Sequence, residues 1–281
     1  MTVASVRPTI KQKPAHPVLL LQAFLKRDWF LALSYRLPFI VDLFQSVLSV
    51  TFLFFLARVV GHKIATSSGL QVPYFGFAVI GTLMIGILTV SLASFSKRIR
   101  IDQMTGTLEV LFSMPVRPWL VVMASATYQV VYALITSGIT LALAFWFGMR
   151  FHVTAMSAVV AVVDFIAALV VFGCLGMGLA AFVMVFKRGE TVTALLVGAL
   201  GLVGGVLYPV SSLSTPLRHL ADVIPFTWAL NAMRDALLGG HADYYQLTKV
   251  GVAALVLCPL SLWVFNVALN HAKKLGAVGQ Y

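Results

Sequence analysis

The chain has 281 residues, of which 60% are hydrophobic and only 10% charged, with a formal net charge of +11 at pH 7 and a mean hydropathy of +0.96. So apolar a composition excludes a soluble globular domain and identifies an integral membrane protein. The basic excess is scattered over short loops instead of lying on one soluble face, which argues against a nucleic-acid partner and for topology and contact with anionic lipid headgroups.

Residues 1–16 read as a cytoplasmic tail. Over residues 18–36, Leu21, Phe24, Leu25, Trp29 and Phe30 mix with Gln22, Lys26, Arg27 and Asp28, a pattern suited to a helix lying in the membrane interface or to the frayed start of the first span. Pro8, Pro14, Pro17 and several charges stand where a signal peptide would carry a short apolar core, so the first span is expected to serve as the insertion signal. Six windows approach or exceed the roughly 20 apolar residues that a spanning helix needs: 38–56, 74–95, 120–147, 155–186, 191–208 and 250–269. With both termini inside, 14 of the 20 Lys and Arg residues fall on the cytoplasmic side. Arg58, Lys63, Arg150, Arg218, Arg234 and Lys249 are left outside, as the positive-inside bias predicts.

Two spans carry polar residues at helical spacing. Asp42, Gln45, Ser46 and Ser49 share one face of the first, and Gln129, Tyr132, Thr136 and Thr140 one face of the third. In lipid such faces turn toward protein or a water-filled cavity, so they are expected to line a pathway or a helix contact. Asp42 and Asp164 are the carboxylates expected near or within the hydrocarbon. A proton relay needs more partners than these. Cys174 and Cys258 fall inside spans as small packing residues and fit neither a disulfide framework nor a CxxC metal site.

Between the second and third spans runs KRIRIDQMTGTLEVLFSMPVRP, residues 97–118. Ile101, Met104, Leu108 and Leu111 recur at spacings of three and four, which predicts a helix with an apolar stripe against a polar face of Asp102, Gln103 and Glu109. Pro115 and Pro118 end it. A solvated loop would explain Lys97, Arg98, Arg100 and Arg117 but not the stripe. The fifth span is rich in small residues. There Gly201 and Gly205 form a GxxxG pair, and Ala194 with Gly198 a second small pair, suited to close helix approach within the chain or across a dimer. Before the last span, Pro209, Pro216 and Pro225 cut the segment 209–240 into pieces of roughly 8 and 13 residues, apolar yet too short to cross a bilayer. They predict short helices dipping into the outer leaflet, with Arg218 and Asp222 placed to pair one turn apart, or else a simple external cap.

The chain contains no G-x-x-x-x-G-K-[ST] phosphate loop, no G-x-S-x-G elbow and no H-E-x-x-H zinc pair, and its six histidines form no cluster, so neither a catalytic site nor a metal site is expected.

Gly106-Thr107-Leu108-Glu109 followed by Pro115, together with the Pro209, Pro216, Pro225 and Arg234 pattern before the last span, resembles the membrane permease of exporter-type ATP-binding cassette transporters, the ABC type-2 membrane-domain family. Asp102-Gln103-Met104 departs from the Arg and Glu mixture often found there. The resemblance implies an all-α protein with residues 1–36 as tail and interfacial helix. Residues 37–281 would form a six-span domain with short re-entrant helices before span 6. It implies that Ile101, Met104, Gly106, Thr107, Leu108, Glu109, Leu111 and Pro115 belong to a coupling helix seated on a separate cytoplasmic ATPase, which binds ATP and Mg while this chain binds no cofactor. It also implies a second permease copy, a pathway at their interface, and a place in the plasma membrane of a prokaryote. Drugs, lipids and glycan precursors all pass through relatives. The alternative is a secondary transporter driven by an ion gradient, which predicts inverted repeats and clustered intramembrane carboxylates where this chain has two isolated Asp residues.

Overall fold

A computed structural model describes residues 36–61, 63–66, 68–104, 118–186 and 189–274, together with positions 22, 25, 26, 29 and 30. Apart from one small hairpin, the regular structure of the described residues is helical, because an apolar backbone in lipid must satisfy its own hydrogen bonds. Helix α1 covers Arg36–Val60. A hairpin of β1 (Lys63–Ala65) and β2 (Gln71–Pro73) follows, antiparallel with Ile64 opposite Val72. Then come α2 (Tyr74–Met104), α3 (Pro118–Trp146), α4 (Ala155–Phe186) and α5 (Gly189–Val203). A 3-10 turn at Val210–Ser212 leads to α6 (Thr215–Ala221), α7 (Pro225–Leu238) and α8 (Tyr244–Lys274).

Five of these helices are long and apolar enough to cross a membrane: α1, α2, α3, α4 and α8, over Phe39–Val60, Tyr74–Lys97, Thr127–Trp146, Ala155–Val183 and Tyr244–His271. The sequence predicts a sixth over 191–208. The helix found there, α5, has 15 residues and stops at Val203. At 1.5 Å per residue it extends about 22 Å, short of the roughly 30 Å of hydrocarbon. The cause is local. Gly205 sits at φ +73°, a left-handed conformation that favours glycine, and a Cβ on Gly204 would lie 2.6 Å from the Phe226 ring.

Helices α2 and α4 form the centre. In α2, 61% of the span is buried, against 11% in both α1 and α3, which places those two at the periphery. Helix α4 packs against α8, α2 and α7, whereas α1 packs against α3 and α2. Close approach of α4 to α2 is set by Gly176, where a Cβ would come 2.6 Å from the Phe95 ring and from the Ser91 carbonyl. The core runs through Phe77, Leu88 and Leu92 of α2, Val171 and Phe172 of α4, and Phe226, Leu230 and Ala236 of α7.

The prolines that divide the segment before α8 act as the sequence predicts. Pro216 and Pro225 stand in the first turns of α6 and α7, where a missing N–H leaves no hydrogen bond unmade. Helix α6 has 7 residues and α7 has 14, close to the pieces expected. The Arg218 guanidinium donates to the Ser211 carbonyl and not to Asp222, whose main-chain carbonyl accepts from Trp228 Nε1 at 2.8 Å. Cys174 is buried and Cys258 exposed, both free.

Candidate functional site

The two polar faces read from the sequence meet. A cleft of about 330 Å³ opens between α1, α2 and α3. Helix α1 lines it with Asp42, Gln45, Ser46 and Ser49, and α3 with Tyr132, Thr136, Ser137 and Thr140. Helix α2 closes the back with Thr82, Leu83, Gly86 and Val90. A direct bond joins the two outer helices, with Tyr132 donating from its hydroxyl to Asp42 Oδ2 at 2.6 Å, and Thr140 Oγ1 approaches Ser46 Oγ to 3.3 Å. Gln129, on the same predicted face of α3, is half-buried and stands outside the cleft.

The chemistry of the cleft follows from where its protons go. Ser46 Oγ donates to the Asp42 carbonyl at 2.9 Å, Thr82 Oγ1 to the Ala78 carbonyl at 2.9 Å, and Thr136 Oγ1 to the Ala133 carbonyl at 3.0 Å. Thr140 Oγ1 donates to the Thr136 carbonyl at 2.9 Å. These hydroxyls bond back onto their own helices, the usual behaviour of Ser and Thr in an apolar helix. A hydroxyl that has given its single proton away retains lone pairs and acts as an acceptor. Asp42 adds a carboxylate.

A second polar centre lies at the end of the bundle that holds the β1–β2 hairpin. Arg234 of α7 is 1% exposed, with its guanidinium 3.4 Å over the Phe77 ring. It donates from Nη1 to the Gly205 carbonyl at 2.9 Å, from Nη2 to the Val206 carbonyl at 2.6 Å, and from Nε to the Phe77 carbonyl at 3.2 Å. One side chain thereby satisfies carbonyls on the turn after α5 and on the first turn of α2. Tyr74 Oη donates to the Leu207 carbonyl at 3.0 Å, and Ser68 Oγ to Asp235 Oδ2, which ties the hairpin to the same helix. Gly81 makes room for this arrangement, since a Cβ there would collide with the Val206 carbonyl and the Arg234 guanidinium.

Other residues singled out in the sequence are placed separately. Ile101 and Met104 lie in the last turn of α2, so the helix continues past its membrane span into the basic segment. Gly106, Thr107, Leu108, Glu109, Leu111 and Pro115 lie outside the described residues. Gly198 is exposed, and Gly201 faces Ile85 of α2, where a Cβ would sit 3.6 Å from Ile85 Cδ1. Gly205 belongs to the turn beyond α5, so the GxxxG pair has only Gly201 on the helix. Pro209 precedes the 3-10 turn.

Several residues escaped the sequence reading. Thr82 and Gly86 line the cleft from α2, whose polar residues form no stripe there, Ser137 sits beside the stripe of α3, and Gly81 is one of many glycines. The spacing of Ser137 beside Thr136 and Thr140 was the one legible signal.

A family model described as ABC-2 type transporter matches residues 20–238, which is 219 of the 281 residues. Among curated proteins none matches the chain significantly.

Proposed function

Since the chain belongs to the ABC-2 type transporter family and is a multi-pass membrane permease component, we propose that it is the membrane subunit of an ATP-driven exporter. The carrying observation is the family match over most of the chain, together with a polar cleft between membrane helices that lipid alone would not favour. In this reading a separate cytoplasmic ATPase binds ATP and Mg, and its closure pushes on the segment 97–118. Leu108 and Leu111 seat the segment in the ATPase, and Glu109 and Gly106-Thr107 shape the contact. Two permease copies enclose the pathway. The 191–208 segment completes a sixth crossing, α5 with the turn that follows it, and both termini face the cytoplasm of a prokaryotic cell. Helices α6 and α7 sit re-entrant near the outer exit. Nucleotide shifts the assembly between inward-facing and outward-facing states.

Leu108→Asp tests the coupling. It places a charge in an apolar contact and should reduce ATPase co-purification and ATP-dependent uptake into inverted vesicles by at least about tenfold, which corresponds to about 1.4 kcal/mol, while the permease still inserts. Retention of the ATPase with coupled transport overturns the docking role. Uptake that ignores nucleotide but collapses on adding a protonophore supports the gradient-driven alternative, for which Asp42 and Asp164 are the intramembrane carboxylates.

A further inference from the structure

Resting on the transport reading above, we propose that the cleft between α1, α2 and α3 is a binding site for an organic ammonium ion that carries further N–H or O–H donors. Two independent features of the lining converge on that class.

The first is charge. Among the described residues that line the cleft, Asp42 is the one ionisable acid or base apart from its phenolic partner Tyr132, and none is Lys, Arg or His. Ammonium is the complement of a carboxylate, and a charge-assisted hydrogen bond is roughly twice as strong as a neutral one. The second is the direction of the hydroxyls. Ser46, Thr82, Thr136 and Thr140 direct their protons to helix carbonyls, and Tyr132 gives its own to Asp42. What these five side chains offer to the cleft is therefore acceptor capacity. A ligand rich in acceptors, such as a phosphate or a sulfate, would face these lone pairs and the Asp42 carboxylate, with donors from Gln45, Ser49 and Ser137 on part of the wall. An amine with several donors would meet partners at the Asp42 carboxylate and at these five side chains. Asp42 and Ser49 stand seven residues apart on α1, so the acceptors extend over about 10 Å. The volume of about 330 Å³ lies within the range of small-molecule pockets. Gly86 contributes space, because a Cβ there would meet no atom within 4 Å.

Spermidine is a suitable probe, since it combines positive charge with several N–H donors. Its binding to the full-length permease in detergent is measured by calorimetry, against tetraethylammonium, which has charge without donors, and maltotriose, which has donors without charge. Spermidine should bind about tenfold or more tightly than either. Asp42→Asn should weaken it by about tenfold, Asp42→Glu should restore most of the affinity, and Gly86→Phe should obstruct the cleft and abolish binding. Asp164→Asn, which removes a carboxylate outside the cleft, should leave affinity unchanged. Equal binding of maltotriose would make the cleft a neutral polyol site and overturn the proposal. Equal binding of tetraethylammonium would remove the role of the hydroxyls and overturn it as well. So would undiminished spermidine affinity in Asp42→Asn or Gly86→Phe. The measurement uses neither nucleotide nor ATPase. Its failure would discard the ligand class and leave ATP-driven export standing, and failure of ATP-dependent uptake would discard the exporter and leave the binding result intact.

Discussion

At the scale of single residues, two buried ionisable groups behave in opposite ways. Arg234 spreads its donors over carbonyls of Phe77, Gly205 and Val206. A guanidinium has five donors in a fixed fork, whereas an ammonium is a compact point charge on a flexible stem. Arg234→Lys should lower stability by about 2 kcal/mol, because at least one buried carbonyl loses its partner. Thermal unfolding of the purified permease in detergent measures it, and an unchanged midpoint would show that water replaces the missing donor. Asp164 on α4 is fully buried, and neither carboxylate oxygen has a hydrogen-bond partner among the described residues. Asp164→Leu replaces the unpartnered carboxyl with an apolar side chain of similar size, so stability should rise by about 1 kcal/mol. A fall in the unfolding midpoint would mean that the carboxylate has a task that only the assembled transporter reveals.

At the scale of elements, the decisive contacts are made where small residues let backbones approach. Three elements converge at Gly81: α2 itself, the turn after α5, and the guanidinium from α7. Gly81→Ala forces a backbone or the guanidinium to move and should destabilise the protein by about 1–3 kcal/mol. Gly86→Ala, five residues further along α2 and facing open space, should be near neutral or slightly stabilising. Comparing the two unfolding midpoints separates packing from helix propensity, and equal effects would contradict the placement of Gly81. Gly201 is a milder case. Its neighbour is the flexible tip of Ile85, so Gly201→Ala should be tolerated while Gly201→Leu should disturb the α5–α2 contact.

At the scale of the whole molecule, the hairpin, the turn after α5 and helix α7 form one tied unit with the start of α2, whereas α1 and α3 rest on that unit from outside. The proposed topology places this unit outside the cell. Single cysteines at Ser67 and His241 should then react with a membrane-impermeant reagent in intact cells, and cysteines at Thr105 and Gly279 should not. Labelling at Thr105 from outside would invert the topology and remove the coupling role of the 97–118 segment. Much of α1 stays exposed in one chain, including Phe44, Phe52 and Phe55, and so does Leu195 of α5. In an assembly of two copies, a cysteine at Ser49 or Gly198 should cross-link to its counterpart or react with a reagent entering the pathway. If both stay inert, the interface lies on other helices.

Composition alone determined that the protein lives in a membrane, since no soluble fold can hide so large an apolar fraction, and the length of the apolar runs located the five long helices because lipid demands a fixed length of apolar residues. The prolines at 216 and 225 were legible as helix starts for an equally local reason: a residue without an N–H fits best in a first turn. The polar faces of α1 and α3 could also be read, as could the Arg234 motif by resemblance. Their partners could not. That Asp42 meets Tyr132, 90 residues away, that Arg234 reaches Phe77 and Val206, and that Gly205 ends a helix instead of packing against one all depend on how distant elements cross. Hydropathy saw in 191–208 only an unbroken apolar run. It cannot register a left-handed glycine or the Phe226 ring seated on its neighbour, because both are set by the tertiary structure around the turn and not by the polarity of the segment itself.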